Sequence, residues 1–304
     1  MKFHAMNTTF HLNGLDQNQA KRIRNWFQYV ENRLSRFIPT SELSALNRSQ
    51  GELFLASTLL YEVVQRAVHY FEETNHIFHP FLGKNMEQIG YDRSFEQLSV
   101  VEDHGMRVPP HLDNYLTFHP AMKSISLTPG ISVDLGGIAK GWSVGKAHQW
   151  LQNEGLPRGL IDGGGDIAGW GEEGTWTIGI ADPYQSEHDL LQLQMKRAFG
   201  IATSSTIKRS WLNSRGEQLH HLLDPVTGQP SQSALVQVTM VAPDVCTAEV
   251  YAKTLLLLGL QKGIPWLKET KPHLAFIAVD RNKKVFVSEN IHDYALMKGE
   301  VEDE

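Results

Sequence analysis

The sequence predicts an α+β layered domain. Two amphipathic helical patterns stand in the first quarter of the chain, short β-rich runs dominate from about residue 115, and the two never settle into regular βαβ alternation. Residues 17–37 place Ile23, Trp26, Phe27, Val30, Leu34 and Phe37 at helical spacing. A second stripe, Leu59, Leu60, Val63, Val64, Ala67, Val68 and Phe71, predicts a helix over 55–74. Strands are expected at "YLTF", "SISL", "TWTIGIA", "LLQLQM", "ALVQVTMVA", "HLAFIAV" and "KVFVS". Two helices interrupt them, one over about 139–154 with Ala147, Trp150 and Leu151 turned inward, and one over about 245–258. No Pro/Ser-rich linker, repeat or low-complexity tract divides residues 1–304, so the chain reads as a single domain whose acidic tail, "KGEVEDE", is frayed.

Composition narrows the function. With 41% hydrophobic and 20% charged residues, the 304-residue chain can bury a sizeable core. A net charge of -6 gives no basic field to gather nucleic acid or anionic lipid, so neither is expected as a partner. No apolar run is long enough to span a membrane, and "MKFHAMNTTFHLNG" has no signal-peptide core, so a cytoplasmic location is expected. Cys246 is the single cysteine, which excludes an internal disulfide and any multi-cysteine metal site; it reads as a small buried side chain.

Two glycine clusters carry the chemistry. In "DLGGIAKGW" the glycines follow an apolar stretch and precede a helix, with Lys140 in its first turn, which is an arrangement that meets a phosphate. A tight strand-to-helix turn explains the same residues. The lysine lacks the context of a Walker loop, and no G-x-G-x-x-G fingerprint is present. A second cluster, "DGGGDIAGWG", follows some twenty residues on.

These segments stand in a longer series: "MNTTF" (6–10), "LSRFIPTSELSALN" (34–47), "IFHPFLG" (77–83), "VDLGGIAKGW" (133–142), "DGGGDIAGWG" (162–171), "WTIGIADP" (176–183), "IATSS" (201–205), "HHLLDPVTGQP" (220–230) and "VTMVAPDVCTAEVYAKTLLLLG" (238–259). In this order they resemble the ApbE-type flavin transferases, FAD:protein FMN transferases. The resemblance implies a T-fold-related α+β fold with FAD in a cleft bounded by 132–142, 77–79 and 220–222. It also implies a reaction that breaks the FAD diphosphate, attaches FMN through its phosphate to a Thr or Ser of an acceptor flavoprotein, and releases AMP. A flavin-binding protein of weakened activity, and an FAD diphosphatase yielding FMN and AMP, are the alternatives.

Such a displacement needs charge neutralisation, a base and an aligned leaving group. Lys140 and the amides around Gly136 and Gly137 are the candidates for the FAD phosphates; by resemblance Asp134 contacts the flavin nucleotide, while Met6, Phe37, Ile77, Phe78, His79 and Leu222 line the cleft. His221 aligns with a family histidine and is the expected base. Asp224 reads as the cap of a proline-led turn. Relatives hold Mg²⁺ with a carbonyl at the position of Gly137 and with an Asp and a Thr one helical turn apart, where this chain has Glu249 and Lys253. Glu249 can still ligate a hard cation, whereas an ammonium cannot. Lys253 is either the exposed end of a helical Glu–Lys pair or a cation in the metal's place at the FAD. His79 for an Asp, Asn7 and Ser205 for glycines, and Gly145 for an Asp are further departures from the family pattern.

Overall fold

A computed structural model describes residues 1–98, 108–185 and 187–298, so the tail expected to fray lies, beyond Lys298, outside the described residues. In chain order its elements begin with β1 (Lys2–Ala5), β2 (Thr8–Asn13), α1 (Gln17–Leu34), α2 (Glu42–Arg48), β3 (Phe54–Leu55), α3 (Thr58–Glu73), α4 (Gly83–Gln88), β4 (Leu116–His119), β5 (Ser124–Leu127) and α5 (Ala139–Asn153). They continue with β6 (Gly159–Gly163), β7 (Ile167–Trp170), β8 (Thr177–Ala181), β9 (Asp189–Met195), β10 (Phe199–Ser205), β11 (Ser210–Leu212) and β12 (Gln218–His220). The last are β13 (Leu235–Ala242), α6 (Val245–Thr270), β14 (Ala275–Asp280), β15 (Val285–Val287) and β16 (Ala295–Lys298). The α+β mixture is as expected. Each strand forecast from the sequence forms within a few residues of its place.

Two compact units share the chain. The first takes Met1–Asn25, Lys140–Lys208 and Gln232–Glu304; the second takes Trp26–Ala139 and Arg209–Ser231.

In the first unit an 8-stranded antiparallel sheet has the order β1-β2-β6-β7-β10-β13-β14-β15. Its inner strands carry glycines for a steric reason. Gly159 stands opposite Trp170 and Gly169 opposite Phe199, and a Cβ on either glycine would run into the facing ring. Strand β13 is buried along its whole length, with α6 packed over it and over β10. Asp244 caps α6 by accepting the Thr247 N–H at 2.9 Å, and Gly259 (φ 68°, ψ 170°) breaks the helix where the sequence predicts its end. Helical turns then resume to Thr270. Cys246, as expected, is buried and in no disulfide. On α5 the packed stripe is Val144, Ala147 and Leu151; Trp150, expected inward, lies off that stripe and is 42% exposed.

In the second unit β3, β5 and β4 form a small sheet, and β11 pairs with β12. Leu82, Ile89 and Tyr91 share a core with Trp211, Leu219 and Leu223, against which Phe37 packs. Ser41 and Ser57 cap α2 and α3 through their hydroxyls.

Candidate functional site

In the first unit the start of α5 and the second glycine cluster meet in one ion pair. The β6–β7 turn runs through Gly164 (φ 72°) and Gly165 (φ 99°), and a Cβ on Gly164 would strike Thr8 of β2. The turn delivers Asp166, whose side chain is 3% exposed and whose carboxylate pairs with the Lys140 ammonium in the first turn of α5. One residue on, the Gly141 N–H donates to Glu249 Oε2 at 2.8 Å. A Cβ on Gly141 would sit 2.8 Å from that same oxygen, so this glycine lets α5 approach α6.

Glu249 is buried. Burial and the charge of Asp166 push its pKa up to about 7, against the opposing pulls of Lys140 and Lys253 and of the Gly141 amide. One carboxylate and two ammoniums thus act on Glu249 inside this unit. Met6 joins the same neighbourhood, because the Ser143 hydroxyl of α5 contacts its Sδ at 3.7 Å. Met6 and Asn7 form the β1–β2 turn with φ of 50° and 54°. Asn tolerates that left-handed conformation.

In the second unit the first glycine loop is held from three directions. Asn47 on α2 brackets Val133, donating to its carbonyl at 2.9 Å and accepting its N–H at 2.8 Å. The Asp134 N–H donates to the Pro80 carbonyl at 2.8 Å. Arg36 Nε donates to Asp134 Oδ2 at 2.9 Å, while the other carboxylate oxygen accepts the Gly136 N–H at 2.6 Å. Asp134 therefore shapes the glycine loop from within. The Arg36 guanidinium lies over the rings of Phe37 (4.2 Å) and Tyr91 (5.0 Å), and Tyr91 in turn stands 6.3 Å from the His221 ring. Phe37, Asp134, Gly136 and His221 are thereby linked through Arg36 and Tyr91. Sequence reasoning named neither of these two, nor Asp166. Arg36 and Asp166 lie inside the quoted motifs, but their partners are far away in sequence.

The other expected cleft residues of this unit pack differently. His79 sits edge-on to Phe71, Phe81 and Tyr115, with centroids at 4.9, 5.9 and 5.3 Å. Burial and the nearby charges of His76 and His111 push its pKa down to about 4. Its Nδ1 accepts the Phe81 N–H at 3.3 Å, which puts the proton of the neutral ring on Nε2. Phe78 is buried and Ile77 half-buried beside the end of α3, both with amides bonded to Thr74. The Leu222 side chain is in the core. Asp224 caps its turn as expected, accepting the Val226 and Thr227 N–H groups at 2.9 Å.

Mg²⁺ needs hard oxygen donors, and the side chains of the first unit do not supply a set. Glu249 offers one carboxylate that already accepts an amide, Asp166 is paired with Lys140, and Lys253 is donor-only. Among the described residues no group of three or more His, Cys, Asp or Glu side chains could hold a metal ion. These side chains by themselves do not make a divalent-cation site. Also among the described residues, no helix is long and apolar enough to cross a membrane.

Comparison with known proteins gives a consistent result. A sequence profile described as the ApbE family matches residues 6–278. A Treponema pallidum protein named FAD:protein FMN transferase is 28% identical over 282 residues, covering 83% of this chain and 74% of its own length. One of the same name from Vibrio cholerae is 25% identical over 304 residues, covering 95% and 90%. For a third, from Klebsiella pneumoniae, 30% identity extends over 160 residues, and the match spans about half of each chain (53% and 49%). Among solved structures, the ApbE protein of Thermotoga maritima has a TM-score of 0.83 at 21% identity, covering 97% of this chain and 98% of that one. The flavin transferase ApbE of Vibrio cholerae has a TM-score of 0.76, also at 21% identity and with the same coverage. At such identities the structural likeness speaks for the fold.

Proposed function

This chain belongs to the ApbE family, and from that premise we propose that it is an FAD:protein FMN transferase. It cleaves FAD and carries FMN, through its phosphate, to a Thr or Ser hydroxyl of an acceptor flavoprotein. The acceptor oxygen bonds to the phosphorus of the FMN half, the bond from that phosphorus to the bridging oxygen breaks, and AMP leaves with the electron pair. The hydroxyl proton passes to His221. Beside it, His220 is occupied: its Nε2 meets the Ser231 carbonyl at 3.2 Å and its Nδ1 accepts the Leu222 N–H at 3.3 Å. His221, whose ring stands by Tyr91, is the histidine of "HHLLDP" we assign to proton transfer.

The observation that carries the reading is the Lys140–Asp166 pair. An ammonium preset by a buried carboxylate at the start of a helix is ready for phosphate charge before the ligand arrives, which is where such a reaction gains most. The test is a product assay with FAD, in the presence and absence of a candidate acceptor domain. Acceptor mass rising by one FMN, with AMP released in step, is the expected result. Free FMN with AMP and no acceptor adduct would replace transfer by hydrolysis, and FAD bound but intact would leave a binding protein only.

A further inference from the structure

We propose that Lys253, and not a divalent metal ion, supplies the second positive charge at the FAD diphosphate in this chain. The inference rests on the flavin reading above and concerns the means by which that site handles charge. Glu249 and Lys253 stand one helical turn apart on α6, on one face of the helix. Glu249 is fixed there by the Gly141 amide, and the absence of a Cβ at Gly141 makes room for its carboxylate. Lys253 is close enough to Glu249 to act on it electrostatically, as are Lys140 and Asp166.

The charge count favours the ammonium. In the free protein the cluster holds at most two negative charges, from Asp166 and Glu249, and two ammoniums answer them, so before FAD arrives no surplus negative charge calls for a dication. The donor count agrees, because the position one turn beyond Glu249 presents N–H groups where a metal needs an oxygen. A diphosphate arriving at two lysines meets charge-assisted donors directly, and Glu249 is then a positioning residue for Lys253 instead of a ligand.

FAD fluorescence titration of the natural protein, in EDTA and then in Mg²⁺, tests this. The expected result is an affinity that shifts by less than about threefold between the two conditions, well under the tenfold that 1.4 kcal/mol represents. Lys253→Met, which keeps most of the stem and loses the charge, should weaken FAD about tenfold to a hundredfold, and Lys253→Arg should recover most of it. The pair Lys253→Thr with Glu249→Asp should install a Mg²⁺ requirement that EDTA reveals. A saturable Mg²⁺ response of the natural protein, lost in Glu249→Ala, overturns the proposal and leaves the flavin reading standing. No FAD binding under either condition overturns the flavin reading, and the proposal with it.

Discussion

Folding keeps His79 neutral by surrounding it with Phe71, Phe81 and Tyr115, and the consequence is measurable as stability. Its pKa falls from 6.5 to about 4, so between those values the unfolded chain binds a proton that the folded chain refuses. The stabilising contribution is complete above pH 6.5 and is lost as the pH drops through 4, amounting to about 3 kcal/mol. His79→Phe keeps an aromatic ring in place and removes the titration. Urea unfolding of both proteins from pH 7 to pH 4 should show the natural protein losing stability relative to the variant, and parallel profiles would show that the ring protonates freely in the fold. Residues of this kind mark the limit of reading single positions. Lys140, Glu249 and His221 could be singled out because a motif surrounds each. Arg36 was not, because it gains its meaning from Asp134, 98 positions away, just as Asn47 does from Val133, 86 positions away. No local pattern signals such a partner.

At the scale of elements, legibility followed alternation. Strands β8, β9, β13 and β14 stand out because β-rich apolar residues run through them without interruption from glycine clusters. Strands β6, β7 and β10 escape notice because Gly159, Gly169 and Gly200 sit where a strand former is expected. The structure turns this apparent weakness into packing, since Trp170 and Phe199 each lie across the glycine opposite. Phe199 belongs to the core that β10 shares with β8, β9 and β14. Gly169→Ala should therefore push Phe199 out of its place and cost about 1–3 kcal/mol in chemical denaturation. Gly169→Ala combined with Phe199→Leu should lose less than the two single changes added together, because the smaller side chain makes room. Strict additivity would mean that the glycine is not there for the ring.

At the scale of the molecule, the chain passes between its two units at four places, and two of these fall inside α1 and at the start of α5. A crossing made within a helix needs no linker, and none appears in the sequence there. The second unit is consequently discontinuous, and its core depends on a distant segment. Of the six buried residues that form one of its clusters, Trp211, Leu219 and Leu223 come from 209–231, and Trp211 Nε1 donates to the Ile89 carbonyl at 3.1 Å while its ring stacks on Tyr91 at 5.3 Å. A fragment of residues 16–139, which keeps α1 whole, would expose the faces of Leu82, Ile89 and Tyr91 that those residues cover. It should unfold without a sigmoidal transition and bind a hydrophobic dye, as a chain that collapses without fixed packing does. Adding a peptide of residues 209–231 should restore cooperativity and displace the dye, because it returns the missing half of the cluster together with the hydrogen bond to Ile89. A sharp transition in the fragment alone would show that the early segment carries a sufficient core, and that the later hairpin serves to place His221 and not to hold the unit together.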